Sequence, residues 1–356
     1  MKFKVGVLPL AAAVIFSVVY IFAAVYPLSK ELQFIPEWTV SAVQNPAASE
    51  TNKKDEGLIP FKIGQTVGYF TEDGKIAMSQ SFPVKAAVSE YYYAPYGLGD
   101  TSIQFYSPDG IPRGVIGASG FPFIDEDRLY LFLPGGASFS QYGADGQRLW
   151  TYEGFVPVTA FSSSKCGCIA GFADGKIIAF YPDGTLMQEF VPGGSKYPVI
   201  LGADISYDGK LFACLSGLEK QRIVLVRTEK KHAVITFFKY MEKDRNVQSL
   251  VRFSKDGKWL YYASSEGLGI VNCEDLKDSE IKMSGWISAI KETDIPGTFF
   301  VLTKDKRLWT VYAVENFKSL TGKFSFEADF SFIQTRKNDL FIGKDLKISK
   351  IRLSKE

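Results

Sequence analysis

The sequence predicts an all-β fold, a seven-bladed β-propeller preceded by one N-terminal transmembrane helix. Aromatic residues make up 15% of the 356 residues and Gly accounts for 32, a mixture typical of short strands joined by tight turns. Asp-Gly pairs recur at a nearly constant interval, and the N-terminus begins with a long apolar run. We therefore divide the chain into a membrane anchor (1–27), a polar linker (28–60) and a propeller domain (61–356).

The predicted anchor rests on 22 residues without a charge, from Val5 to Tyr26. At about 1.5 Å per residue they can cross a hydrocarbon core of roughly 30 Å. Lys2 and Lys4 precede the run, which places the N-terminus in the cytoplasm and the propeller on the extracytoplasmic, periplasmic side of a single-pass cell membrane protein. A cleaved signal peptide is the alternative, although bulky Tyr26 disfavours a small-residue cleavage site.

The stretch from Ser29 to about Pro60 is predicted to be a spacer between bilayer and domain. It is rich in Ser, Asn, Pro and charged residues and shows little apolar periodicity.

Asp-Gly pairs mark the repeat, at intervals of 36, 36 and 38 residues. Such a period between alternating apolar runs predicts propeller blades of four strands. We expect each pair to form a two-residue hairpin turn with positive φ at both positions. A calcium site is disfavoured because no D-x-[DN]-x-[DN]-G loop surrounds any pair. The four pairs at these intervals are Asp73-Gly74, Asp109-Gly110, Asp145-Gly146 and Asp183-Gly184.

Blade number follows from counting hairpins. Seven inner and seven outer strand pairs can be recognised, and joining the first outer pair to the last inner pair gives seven blades. The surplus strand from Ile348 to Leu353 leaves eight blades as the alternative. Large alternating side chains in the hairpin "VRFSKDGKWLYYA", such as Val251, Phe253, Leu260 and Tyr262, are expected to face neighbouring blades.

Two motifs resemble known families. "RFSKDGKWLYYASSEG" and "DISYDGKLFACLSG" resemble the F-S-P-D-G-K motif of TolB-type and YVTN-type propellers, within the WD-repeat-like group. "ADGQRLWTYEG", with Leu149-Trp150, looks like the G-x-x-L-W element of quinoprotein-like propellers such as outer-membrane assembly lipoproteins. The resemblance covers residues 61–353 and implies a disc whose loops and channel mouth bind peptides, proteins or small ligands.

Little in the sequence predicts catalysis, a metal or a cofactor. His232 is the only histidine and lies in a polar turn, so a Ser-His or Cys-His pair is disfavoured. Cys166 and Cys168 lack a second pair of zinc ligands, and with Cys214 and Cys273 they are expected to pack as small apolar residues. Without Lys2 and Lys4 the chain has 39 basic and 39 acidic residues, which indicates no nucleic-acid partner.

The predicted function is a protein- or ligand-binding scaffold in the cell envelope, with an envelope protein or peptide as partner; the oligomeric state stays open. Tyr91, Tyr93 and Tyr96 are the candidate partner-binding residues, since Tyr suits interfaces, although alternation places about half of these rings in the core. A carboxylate-based hydrolase or lyase, of lactonase or glycosidase type, is the alternative. Its candidate residues are Glu90, Asp125, Glu126 and Asp127.

Overall fold

A computed structural model describes residues 14–17, 19, 20, 32–43, 57–229 and 232–355. Residues 14–17, 19 and 20 are helical, and most of the predicted anchor (1–27) lies outside the described residues. In the part of the chain that is described, no helix is both long and apolar enough to traverse a bilayer.

The described strands form eight antiparallel sheets, which we number as blades 1 to 8 in chain order. Blade 1 contains β2 (Ile59–Ile63), β3 (Thr66–Phe70) and β4 (Ile76–Ser81); blade 2 contains β5 (Lys85–Val88), β6 (Tyr93–Tyr96), β7 (Ile103–Tyr106) and β8 (Pro112–Ile116). Blade 3 contains β9 (Phe121–Asp125), β10 (Arg128–Phe132), β11 (Phe139–Tyr142) and β12 (Arg148–Tyr152); blade 4 contains β13 (Val158–Ser164), β14 (Gly167–Phe172), β15 (Ile177–Phe180) and β16 (Leu186–Phe190).

The second half of the chain continues the pattern. Blade 5 contains β17 (Ile200–Ile205), β18 (Leu211–Ser216), β19 (Arg222–Glu229) and β20 (His232–Tyr240); blade 6 contains β21 (Val251–Phe253), β22 (Trp259–Ala263), β23 (Gly267–Asn272) and β24 (Asp278–Lys282). Blade 7 contains β25 (Trp286–Glu292), β26 (Phe299–Asp305), β27 (Leu308–Glu315) and β28 (Ser319–Glu327); blade 8 contains β29 (Ser331–Arg336), β30 (Asp339–Lys344), β31 (Lys347–Lys355) and the N-terminal β1 (Leu32–Ser41).

Neighbouring blades share their hydrophobic cores. Among the described residues there are eight apolar clusters, one between each pair of adjacent blades around a closed ring. Alternation along a strand divides its side chains between two clusters: Leu260 and Tyr262 pack against blade 5, whereas Tyr261 packs against blade 7. Val251 and Phe253 join Leu260 in the cluster between blades 5 and 6, which confirms the prediction that these residues face a neighbouring blade.

The prediction of seven blades was wrong, because the ring closes with a strand from the stretch interpreted as a linker. β1 pairs antiparallel with β31 and supplies the fourth strand of blade 8, so the first outer hairpin is free to form a blade of its own. A bulge between Pro36 and Trp38 shifts the register within β1 and breaks the alternation of Phe34 and Val40, which concealed the strand in the sequence.

The Asp-Gly turns also differ from the expected geometry. Only the Gly adopts positive φ, between 82° and 88° in the four turns, and a register shift beside each turn marks a bulge. In the second turn the Gly110 N–H donates to the Ser107 carbonyl at 2.9 Å, and the Asp109 carboxylate accepts from the Ile111 N–H at 3.3 Å. The Asp therefore serves as a hydrogen-bond acceptor within a type I turn.

The first strand of each four-stranded blade lies innermost, since β13 contacts β17, β17 contacts β21 and β25 contacts β29. Antiparallel pairing places the first-to-second and third-to-fourth connections of every blade on one face of the disc, which we call the turn face. The Asp73-Gly74 turn joins β3 to β4 in the way that Asp109-Gly110 joins β7 to β8. The three described strands of blade 1 thus correspond to the second, third and fourth strands of the others.

The shared core predicts that a single truncation at the ring closure destabilises the whole domain. Phe341 is fully buried between blades 8 and 1, with its ring centroid 5.3 Å from that of Phe70 and 6.0 Å from that of Trp38. Phe341→Ala should lower the free energy of unfolding by about 3 to 5 kcal/mol, measured by urea denaturation. Phe155→Ala is the matched control, because that side chain is fully exposed. Equal stability of both variants would contradict a core shared across the closure.

Candidate functional site

The candidate site is the mouth of the central channel on the turn face, where the inner strands end. Lys291 lies near the end of β25 in blade 7 and is half-buried. Its ammonium interacts electrostatically with Arg252 and Lys255 of blade 6, and also with Glu90 of blade 2 and Asp125 of blade 3. Blades 3 and 7 are opposite one another in a ring of eight. The inner strands therefore bring these side chains together across a narrow channel.

Burial makes the charge on Lys291 costly. Desolvation lowers the pKa of the Lys291 ammonium to about 8, and the positive charges of Arg252 and Lys255 act in the same direction. Glu90 and Asp125, across the channel, oppose the shift without cancelling it. Such a lysine stays mostly protonated at pH 7 and loses its proton at a lower pH than an ordinary lysine does, so its charge depends on its surroundings.

The basic side of the mouth interacts with carboxylates only at a distance, among them Asp204, which lies within electrostatic reach of Arg252. Over residues 57–229 and 232–355, the side chains of Arg252, Lys255 and Lys291 form no ion pair and no hydrogen bond. Arg252 is exposed although its neighbours Val251 and Phe253 are buried, which points its side chain away from the blade core. We call Arg252, Lys255 and Lys291 the cation cluster.

The acidic side is organised by Arg128 at the start of β10. Its guanidinium lies 2.9 Å from Asp125 and 2.9 Å from Glu126, and its third carboxylate neighbour, Asp127, is 3.8 Å away. The Arg128 Nε–H donates to the Ser163 hydroxyl at 3.0 Å, and this hydroxyl donates to Asp125 at 2.6 Å. Three of the carboxylates named in the sequence analysis thus converge on one cation, while Glu90 is exposed nearby.

Two further carboxylates on inner strands are held by the protein itself. Asp204 is buried, accepts a hydrogen bond from the Ser162 hydroxyl and another from the Phe253 N–H at 2.6 Å, and burial raises its pKa to about 6. Glu292 accepts from the Tyr261 hydroxyl at 3.1 Å and from the Lys255 N–H at 3.1 Å. These contacts assign both carboxylates to positioning the inner strands.

The predicted tyrosines are separated by their burial. Tyr91 is 52% exposed in the connection between β5 and β6 on the turn face, whereas Tyr93 is 3% exposed and stacks on Tyr106 at 5.1 Å. Tyr96 is partly buried, with its ring 6.2 Å from that of Phe121. Tyr91 is thus the member of the set that is available to a partner, and Tyr93 belongs to the core.

A second exposed tyrosine was missed by the sequence analysis. Tyr207, between β17 and β18, is 52% exposed on the turn face, and the Lys165 ammonium lies 5.6 Å from its ring centroid. Lys165 also interacts electrostatically with Glu126 and Tyr91. Two exposed tyrosines and a lysine therefore border the charged mouth. Since Tyr207 occupies the proline position of the F-S-P-D-G-K motif, its aromatic ring in a turn was the available signal.

The remaining candidates lie elsewhere. His232 is exposed at the start of β20, on an outer strand. All four cysteines are free thiols; Cys168, Cys214 and Cys273 are buried in strands or beside them, as expected of small apolar residues, and Cys166 is partly exposed. No group of three metal-ligating side chains occurs among the residues that the structure describes.

Several exposed apolar side chains lie on the face opposite the turn face. Phe330 and Leu346 line an open groove of about 510 Å³ beside the β30–β31 connection. The others belong to separate blades, and isolated exposed apolar residues are ordinary on protein surfaces. They are Leu98, Phe155, Val247 and Trp286.

Comparisons with known proteins agree with the architecture. The family described as "beta-propeller protein" matches residues 1–355. An uncharacterized protein of Treponema pallidum (strain Nichols) is 29% identical over 348 residues, which cover 96% of this chain and 92% of that protein. The crystal structure of BamB from Moraxella catarrhalis is similar with a TM-score of 0.56 at 11% identity, covering 90% of this chain and all of that one. This structural likeness concerns the fold alone.

Asp204 predicts a specific pH dependence of stability. Its folded pKa of about 6 exceeds the usual value for Asp, so the native state binds more protons than the unfolded state between about pH 4 and pH 6, and its contribution destabilises the fold as the pH rises through this window. Asp204→Asn removes the titration. The difference in unfolding free energy between wild type and variant, from urea titrations, should change between pH 4 and pH 6 and be flat above pH 7. A constant difference would show that Asp204 titrates normally.

Proposed function

From the premise that the chain belongs to the β-propeller protein family, we propose that it is a membrane-anchored, extracytoplasmic scaffold of the cell envelope that binds a protein or peptide on its turn face. The observation that carries this proposal is the channel mouth, where a cation cluster that forms no ion pair within the described residues faces carboxylates and is bordered by exposed Tyr91 and Tyr207. Tyr and Arg side chains are enriched among the residues that dominate protein interfaces, and complementary charges add specificity.

The carboxylates at the mouth favour binding over hydrolysis. An acid and base pair needs two carboxyl groups that are free to exchange protons with a substrate. Asp125 and Glu126 are instead paired with Arg128, and Glu292 is hydrogen bonded to Tyr261. We therefore place the carboxylate-based hydrolase or lyase behind the scaffold, as the alternative that the partner experiment also tests.

The envelope location is supported by the sequence. Val5 to Tyr26 is uncharged and long enough to span a bilayer, with Lys2 and Lys4 before it. The equal numbers of acidic and basic residues beyond the anchor suit a partner recognised by local contacts.

Site-specific photo-crosslinking in intact cells tests the binding face. A photoreactive aromatic amino acid at position 91 or 207 should yield crosslinks to one or a few envelope proteins, because both side chains are exposed beside the mouth. The same probe at Tyr197 is the matched control: Tyr197 is 56% exposed in the β16–β17 connection on the opposite face.

Crosslinks at position 197 but at neither 91 nor 207 would contradict the proposed face. The hydrolase would displace the scaffold if the full chain in detergent cleaved a lactone or glycoside and lost that activity with Glu90→Gln. That substitution removes a charge at an exposed position, so it should leave folding intact.

Cys166 provides a test of topology with a native residue. It is the partly exposed thiol, whereas Cys168, Cys214 and Cys273 are buried. A membrane-impermeant maleimide should label the wild type in cells whose outer layer is permeabilised and whose cytoplasmic membrane is intact. Cys166→Ser should remove the label. Labelling that requires lysis of the cytoplasmic membrane would place the propeller inside the cell.

A further inference from the structure

We propose that the cation cluster is a binding site for an oxyanion, a carboxylate or a phosphate-like group that enters the channel from the turn face and is held between Lys291 and Arg252. The inference rests on the proposed function in that a partner's carboxylate is one source of this group; a free small anion is the other. The shared chemistry is two or more negatively charged oxygens, which match the planar fork of an arginine and the point charge of a lysine.

Three other largely buried cations of the described chain have partners within the fold. The Lys350 ammonium lies 2.9 Å from both Glu37 and Asp339, and Arg128 is paired with carboxylates in the same way. Arg222 donates to the Pro192 carbonyl at 2.7 Å and covers the ring of Phe238 at 5.1 Å. Each of the three has a partner in the fold.

The cation cluster departs from this rule. In the described chain Lys291 and Arg252 lie on neighbouring inner strands, β25 and β21, and neither forms an ion pair, although Arg252 also interacts electrostatically with Asp204. An ammonium taken from water without a counterion is unfavourable, and a second cation beside it adds repulsion. The lowered pKa of Lys291 records both effects. An oxyanion bound between the two groups would offset both effects.

The charged groups around Lys291 limit which anions can bind there. Glu90 and Asp125 face it across the channel, Lys255 stands on the turn after β21, and Glu292 beside it is hydrogen bonded to Tyr261. From the next inner strand, Arg336 of β29 turns toward the Leu58 carbonyl at 3.5 Å. The acidic side repels extended polyanions, which favours a single terminal group such as a chain-end carboxylate or an isolated oxyanion.

Sulfate is the probe for the site, because its charge is constant between pH 7 and pH 9.5. Isothermal titration of the full chain in detergent should show saturable binding at pH 7. Affinity should fall by about tenfold or more at pH 9.5, since an ammonium with a pKa near 8 loses its proton over this range. Saturable binding that is independent of pH would overturn the role of Lys291, and absence of binding would overturn the site.

Three substitutions make the test specific. Lys291→Met and Arg252→Leu should each weaken sulfate binding at pH 7 by about tenfold. Lys291→Arg keeps the charge and removes the titration, so binding should persist and become independent of pH. Lys282→Met is the matched control, because Lys282 is 86% exposed at the end of β24 and is paired with Glu266 on the opposite face. Wild-type affinity in Lys291→Met, with the fold intact by circular dichroism, would overturn the inference.

Peptides distinguish the two sources of the anion. A short peptide with a free C-terminal carboxylate should compete with sulfate if the partner supplies the group, and its amidated form should not. Competition by neither peptide, with sulfate binding intact, assigns the site to a free anion. Crosslinks at Tyr91 and Tyr207 without sulfate binding would overturn this inference and leave the scaffold, whereas sulfate binding without crosslinks would overturn the scaffold alone.

Discussion

The rest of the structure depends on the sharing of each hydrophobic core by two blades. In β22 the side chains of Leu260 and Tyr262 complete one cluster while Tyr261 completes the next, so no sheet buries both of its faces alone. Such an array is stable only when its ends meet, because an open end would expose a whole apolar face. Pairing of β1 with β31 meets this requirement and brings Trp38 against Phe341 at the junction.

Local patterns were sufficient to predict the blades, whereas the closure required long-range information. The Asp-Gly interval and the alternation around Val251 and Phe253 are properties of single hairpins, and the structure confirms both. The eighth blade depends on β1, whose partner lies more than 300 residues away and whose pattern is interrupted by the bulge at Pro36. The prediction of positive φ at the Asp of each turn was wrong. In the folded turn the Asp carboxylate accepts a hydrogen bond from the N–H two residues later, and the sequence alone does not show this contact.

The channel mouth could not be predicted for a related reason. The charged residues of the mouth come from four blades and lie far apart in the sequence. Blades 2, 3, 6 and 7 supply Glu90, Asp125, Arg252 and Lys291, respectively. In the sequence, Arg252 alternates with buried neighbours as any solvated strand residue does. Because Arg252 lies on an inner strand, its exposed side chain faces the channel and not the outer surface of the domain. The carboxylates were recognised as candidates, but the contacts that Arg128 makes with three of them depend on the packing of the folded chain.

Closure of the ring also explains how a chain that has no net charge beyond Lys2 and Lys4 can carry a strongly charged site. Inner strands from opposite blades end within electrostatic reach of each other, so a few side chains create separate basic and acidic sides at one opening. At physiological ionic strength such a field is screened over about 8 Å, and it acts on groups that enter the mouth rather than on distant molecules. In the proposed mode of binding, recognition at the turn face depends on contact: the ligand would place its charge between Lys291 and Arg252 while its remaining surface meets Tyr91 and Tyr207.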